Sequence, residues 1–232
     1  MIKKILPLFL LLSALTAVHA QEDSRWTIGV KGGVMFGIHK LVGPFIEVLK
    51  QGYIANEESF KNFSAAAYVD MRIFNKLSGQ LEVNFILNQG NTITAPGGGI
   101  GLTTYEFTYS SLDIPLLIRY DFFEKPLLGL EAGPYLSIHL GKLKSSNITP
   151  GNPYPHNKEE VDYIDINGLT YGFAVGTVFG YPLGPGKLFG NVRFIIDFNP
   201  VKVNLKPLGG SASNELLNRR GLFLMLGYEY SF

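Results

Sequence analysis

The sequence contains no cysteine, which excludes a disulfide scaffold, a thiolate metal site and an anchor attached through an N-terminal cysteine. It also lacks any marked excess of charge. The balance is +1 over 232 residues, and nothing in it points to a nucleic-acid partner. After the N-terminal segment no apolar run reaches the roughly eighteen residues that a membrane-crossing helix needs. Whatever holds this chain together is neither a covalent cross-link nor a bundle of spanning helices.

The N-terminus has three zones. Lys3 and Lys4 precede the apolar run Ile5 to Leu15, and Val18-His19-Ala20 places small residues before Gln21. This is the layout of a cleavable secretory signal peptide over residues 1–20, leaving 21–232 as one domain. As an uncleaved anchor the run is too short to cross about 30 Å as a helix.

The rest of the chain is rich in Gly (27), Phe (17) and Tyr (12) and alternates with a period of two. The bulky uncharged set reads Trp26, Ile28, Val30, Val34, Phe36; then Ala65, Ala67, Val69, Met71, Ile73; then Leu81, Val83, Phe85, Leu87; then Leu112, Ile114, Leu116, Ile118. It continues with Leu128, Leu130, Ala132, Leu136, Ile138; Leu169, Tyr171, Phe173, Val175; Val192, Phe194, Ile196, Phe198; and Leu222, Leu224, Leu226, Tyr228, Tyr230, Phe232. Period-two patterning means strands, eight of them. Their connections alternate between tight ones (Phe74 to Leu77, Phe122 to Pro126, Gly180 to Lys187) and long ones (Gly37 to Asn62, Gly90 to Thr104, Gly141 to Ile166, Asn199 to Arg219). Short periplasmic turns and long outer loops give this rhythm, so both ends of the mature chain are expected in the periplasm.

Alternation alone does not say which face meets hydrocarbon. Side-chain size does. The opposite face mixes Gly, Ala and Ser with charges of both signs, namely Lys31, Arg72, Arg119 and Arg193 with Asp70, Glu82, Asp113, Glu131, Asp197 and Glu229. A water-facing surface would carry more Lys and Glu, and a narrow lumen needs small residues and paired ions. Charges at mid-depth on a lipid face cost about 2–4 kcal/mol each, and the bulky set has none. Aromatics gather at strand ends, with Trp26, Phe74, Tyr120, Phe122, Phe179, Tyr181, Tyr228 and Tyr230 towards the turns and Phe36 and Phe198 towards the loops, as interfacial girdles do. The expected fold is all-β: an eight-stranded antiparallel up-and-down transmembrane barrel in the outer membrane.

Two features break the ladder. Tyr105, Phe107 and Tyr109 are odd while Leu112 onward is even, so a one-residue bulge is expected near Ser110 or Ser111. Pro115 and Pro134 lie inside strands, where each removes a hydrogen-bond donor.

Asn62-Phe63-Ser64, Gln80-Leu81-Glu82-Val83, Leu112-Asp113-Ile114-Pro115-Leu116-Leu117 and Glu131-Ala132-Gly133-Pro134-Tyr135 resemble the PorT-like outer-membrane β-barrel proteins of Bacteroidota, over nearly all the mature chain. The Ile-Pro-Leu-Leu and Ala-Gly-Pro-Tyr segments are the most specific, and both awkward prolines fall in them. The resemblance implies an eight-stranded barrel; most such proteins have no assigned activity, and a founding member is linked to type IX secretion. The terminal Tyr230-Ser231-Phe232 looks like the aromatic end signature of barrels inserted by the barrel assembly machinery.

Candidate chemistry is sparse. The inward charges read as a salt-bridged core or as an ion path. Ser137, His139 and Glu131 share a face, but Ser137 and His139 lie about 7 Å apart along the strand, whereas a nucleophile and its base approach within about 3 Å. Pro96-Gly97-Gly98-Gly99-Ile100-Gly101 has no following helix or Lys-Ser pair, and Gly184-Pro185-Gly186-Lys187 lacks the nucleotide-loop spacing. His39 and His156 have no metal-spaced neighbours. No cofactor, metal or catalytic residue is assigned. Pro44 to Lys50 could form a short amphipathic helix over the mouth, and Asn152 to His156 with Asp162 to Asp165 a second exposed surface. Three readings stand open: a structural or protein-docking barrel whose partners are membrane lipid and an envelope protein at the loops, a small porin, and a barrel enzyme acting on lipid A.

Overall fold

In a computed structural model the described residues are 26–42, 56–59, 61–96, 102–148, 161–165, 168–205 and 213–232. The proposed signal peptide, Pro44 to Lys50, Gly97 to Gly101 and Asn152 to His156 lie outside them. Eight long strands form the wall: β1 (Trp26–Val42), β3 (Lys61–Phe74), β4 (Leu77–Pro96), β5 (Leu102–Glu124), β6 (Leu127–Ile148), β8 (Leu169–Leu183), β9 (Gly186–Asp197) and β11 (Ser213–Ser231). Each pairs antiparallel with its neighbours in chain order, and β1 pairs with β11 from Thr27 opposite Ser231 to Val42 opposite Leu216. That last pairing closes the sheet, and closure removes the exposed edges a membrane cannot tolerate.

The three tight connections are the two-residue turns Asn75-Lys76, Lys125-Pro126 and Gly184-Pro185. Gly184 has φ +62°, a left-handed conformation that costs other L-residues about 1–2 kcal/mol. At this turn end the first and last strands meet, where the Phe232 amide donates to the Trp26 carbonyl at 3.0 Å.

The opposite end departs from the loops expected there. β4, β5 and β6 run to 20, 23 and 22 residues, about twice the 9–11 a tilted spanning strand needs. Segments read as loops carry three more short strands, β2 (Asn56–Ser59), β7 (Val161–Asp165) and β10 (Val201–Leu205), which pair with β4, β6 and β11 respectively. Stretches such as Thr92-Ile93-Thr94 and Thr103-Thr104-Tyr105 are good strand formers, so the ladder continues beyond the bilayer.

The facing is as the size argument required. Val83, Phe194 and Leu224 are exposed on the outside, while Lys31, Glu82, Glu131 and Arg193 are buried in the lumen. The aromatic rims are present, with Tyr120 against Phe122 and Tyr230 against Phe232 at the turn end and Tyr171 against Phe198 at the other.

The β5–β6 ladder shifts register between Thr108 and Ser110, close to the expected bulge, but the single extra residue lies in the neighbouring strand. Tyr109, Ser111 and Asp113 all face inward, so β5 keeps its parity. The extra residue is in β4, where Ile86 pairs with Ser111 but Gln89 with Tyr109. Asn88 takes φ +55° there, a conformation Asn tolerates better than most residues, and inward facing passes from Ile86 to Gln89. A sequence parity break locates the defect in neither strand of a pair by itself.

The prolines also find their explanation. Between the pairs Leu81–Leu116 and Asn84–Asp113 the β4–β5 ladder has no paired residues, and Pro115 sits in that gap. Between Pro115–Tyr135 and Ile118–Ala132 the β5–β6 ladder is likewise open, and Pro134 sits there. Each missing N–H falls where no ladder bond is made. The two segments carrying the family resemblance are thus cross-strand partners, and a Cβ on Gly133 would collide with the Leu116 carbonyl oxygen.

Candidate functional site

The lumen is stacked in layers, and β9 reads through all of them. From turn end to loop end its inward residues are Lys187, Phe189, Asn191, Arg193, Ile195 and Asp197, because alternate residues of a strand face one side.

Nearest the turns, the Tyr68 hydroxyl donates to Glu229 at 2.7 Å, and Glu229 also meets Arg119 and Lys187, each at 3.3 Å. Arg119 reaches Asp121 at 2.8 Å, and Ser78 donates to Asp70 at 2.8 Å. Asp70, Ser78, Arg119, Asp121, Lys187 and Glu229 border a cleft of about 170 Å³ open towards the turn end. An apolar patch of Tyr68, Leu127, Val178 and Phe189 lies beside them.

In the middle, Arg193 crosses the lumen. Its Nη1 and Nη2 donate to the two oxygens of Glu82 at 2.9 and 3.0 Å, and its Nε donates to Glu131 at 2.6 Å. Lys31 adds a 2.7 Å ion pair to Glu82, Gln80 donates to it at 2.8 Å, and Asn191 donates to Glu131 at 3.0 Å. Two carboxylates and two cations balance here, as charges removed from water require.

Above them lies an apolar layer formed by Met35, Ile86, Leu117, Tyr135, Ala174, Ile195, Phe223 and Met225. Towards the loops the centre is Arg219, buried to 1% exposure. Its Nη2 meets Asp113 at 3.0 Å and Asp197 at 3.4 Å, its Nη1 donates to Gln89 at 3.0 Å, and its guanidinium lies 5.6 Å from the Tyr135 ring centroid. The Tyr135 hydroxyl donates to Asp197.

Nine of the ten charged residues assigned to the inner face are buried there; Arg72 instead lies exposed at the rim of the turn-end cleft. Arg219 was read as the end of a loop. Its odd position, continuing Gly221, Phe223 and Met225, is the signal that places it inside. The bulky inward residues were also missed, because the inner face was read as small and ionic only; Met35, Ile86, Leu117 and Phe223 contradict that.

Ser137, His139 and Glu131 are all buried, yet they form no relay. The Ser137 hydroxyl donates to Asp113 at 2.6 Å, His139 Nε2 pairs with Thr170 at 3.2 Å, and Glu131 is held by Arg193. A nucleophile whose hydroxyl proton is committed to a third residue is not activated by that histidine.

A closed antiparallel barrel with a bulky uncharged exterior, aromatic rims and an ion-paired interior is an outer-membrane β-barrel, and this protein resides in the outer membrane. Residues 19–203 match the family described as outer membrane protein beta-barrel domain, and the chain belongs to that family. No curated protein matches the sequence. In structure the chain is similar to the outer membrane protein OprG from Pseudomonas aeruginosa, with TM-score 0.55 and 11% identity over 91% of this chain and 99% of that one. It is also similar to the outer membrane protease OmpT from Escherichia coli, with TM-score 0.51 and 10% identity over 92% and 99%. At these identities the likeness concerns the fold alone.

Proposed function

We propose that this barrel is a non-enzymatic docking protein whose loop-side collar receives another envelope protein, and, on the PorT-like resemblance, that it has a place in type IX secretion. The observation that carries this reading is the collar itself. Among the described residues β2, β7 and β10 each pair with one barrel strand, β7 and β10 lie near each other, and the second edge of β2 has no ladder partner there. Such edges are templates for strand addition by a partner. The ion-paired layers across the lumen favour docking over ion conduction.

The test is a deletion strain of the source organism, assayed for secretion of type IX cargo and complemented with a chain in which β2 carries Glu58→Pro. Loss of cargo in the medium on deletion, unrestored by the proline variant, is the expected result. Unchanged secretion on deletion removes the secretion link. Stepwise KCl conductance in planar bilayers would favour the porin reading instead.

A further inference from the structure

The buried carboxylates of the lumen are matched with bases, except one. Glu82, Asp113, Glu131, Asp197 and Glu229 each form an ion pair with a lysine or an arginine. Asp70 of β3 is as deeply placed, at 7% exposure. It accepts the Ser78 hydroxyl at 2.8 Å, and no lysine or arginine among the described residues forms an ion pair with it. A carboxylate taken out of water without a cation is costly. Asp70 borders the turn-end cleft, so a cation can reach it from the periplasm.

A base is left over on the same cleft. Arg119 is taken by Asp121 and Glu229, and Lys187 by Glu229. Lys76, exposed in the turn between β3 and β4, donates to the Phe122 carbonyl at 3.2 Å and meets no carboxylate among the described residues. Asp70 and Lys76 border one cavity yet form no ion pair with each other. A ligand that answers both must carry both charges.

The surroundings narrow the class further. Four cations, Arg72, Lys76, Arg119 and Lys187, border the cleft against the three carboxylates Asp70, Asp121 and Glu229. That excess disfavours a bare metal ion, and no metal-holding group of acidic or histidine side chains occurs among the described residues. The volume of about 170 Å³ is close to the cavity of about 150 Å³ that takes a benzene ring, which is also the size of alanine.

We propose that the turn-end cleft binds a small α-amino acid from the periplasm, with its ammonium on Asp70 and its carboxylate towards Lys76. The Ser78 hydroxyl holds the Asp70 carboxylate in place for that contact. Charge-assisted hydrogen bonds at both ends of the ligand give the site its selectivity for a zwitterion. This site lies at the opposite end of the barrel from the collar, and it stands or falls apart from the docking reading.

Titration of the isotope-labelled mature barrel in detergent micelles with alanine, followed by NMR, tests it. Amide shifts at Lys76 and Ser78 that saturate with alanine are expected. Ethylammonium and propionate each keep one of the two charges and should bind roughly tenfold or more weakly, as the loss of one charge-assisted contact gives. Asp70→Asn keeps the shape and the Ser78 contact, and should weaken alanine by a similar factor while showing the heat-modifiable gel shift of a folded barrel. Should Asp70→Asn not fold, Lys76→Gln, on the exposed turn, should weaken alanine several-fold. Absence of a saturating shift in the wild-type barrel overturns the proposal, as does ethylammonium binding as tightly as alanine or a folded Asp70→Asn barrel binding alanine unchanged. Tighter binding of O-phosphoethanolamine than of alanine would assign the cleft to a lipid headgroup and overturn the amino-acid assignment.

Discussion

Arg193 of β9 lays the two arms of its guanidinium on Glu82 of β4 from the far side of the barrel, at 2.9 and 3.0 Å, across 111 residues of sequence. Its Nε–H holds Glu131, so one side chain ties three strands together. A planar fork matched to two carboxylates is the strongest arrangement such a buried pair offers.

Arg193→Met leaves Glu131 without its 2.6 Å cation and Glu82 with Lys31 as its one cation, and should destabilise the barrel by about 3–5 kcal/mol. Lys31→Met should cost clearly less, because Glu82 keeps the Arg193 fork and the Gln80 amide. Urea titration of the barrel in lipid vesicles ranks the two; equal losses would show that Arg193 is not the central tie.

Gly133 leaves no room for a methyl group against the Leu116 carbonyl. Gly133→Ala should therefore force the β5–β6 gap apart and greatly reduce folded yield. Gly184→Ala meets no atoms within 4 Å and carries only the cost of its φ of +62°, about 1–2 kcal/mol. The gel-shift assay after refolding separates them, and a normal yield for Gly133→Ala would remove the proposed reason for that residue.

On the outer wall, Val83→Arg should cost about 2–4 kcal/mol if Val83 lies at mid-depth, whereas Tyr181→Lys at the turn-side rim should cost about 0–1 kcal/mol. Folding into vesicles measures both. A reversed order would place the bilayer elsewhere on the barrel.

Ser137→Ala removes one of the donors to Asp113 and should lower stability by about 1 kcal/mol, since Arg219 remains on that carboxylate. Lipid A composition, measured by mass spectrometry in cells carrying Ser137→Ala or His139→Ala, is expected to be unchanged. A changed acyl pattern would restore the enzyme reading.

Much of this was legible from side-chain alternation. Leu81, Val83, Phe85 and Leu87 against Gln80, Glu82 and Asn84 set one strand and both its faces, because a strand's period is fixed and charge on a lipid face is costly. The tight turns were legible for the same kind of local reason, as in Gly184-Pro185. Arg219 was not, since its neighbours lie in a segment with a turn-like composition and its facing depends on how far β11 stays paired.

The amino-acid order alone thus determined that there are eight strands, that their bulky faces turn to lipid and that the acids and bases turn inward, since these follow from backbone geometry and the cost of charge in hydrocarbon. Only the tertiary structure decided which acid meets which base, which strand of a pair holds the extra residue, and that β3 contributes no residue to the apolar belt. Those depend on strand tilt and register around a closed cylinder, which bring Glu82 to Arg193 and leave Ser64 facing a glycine.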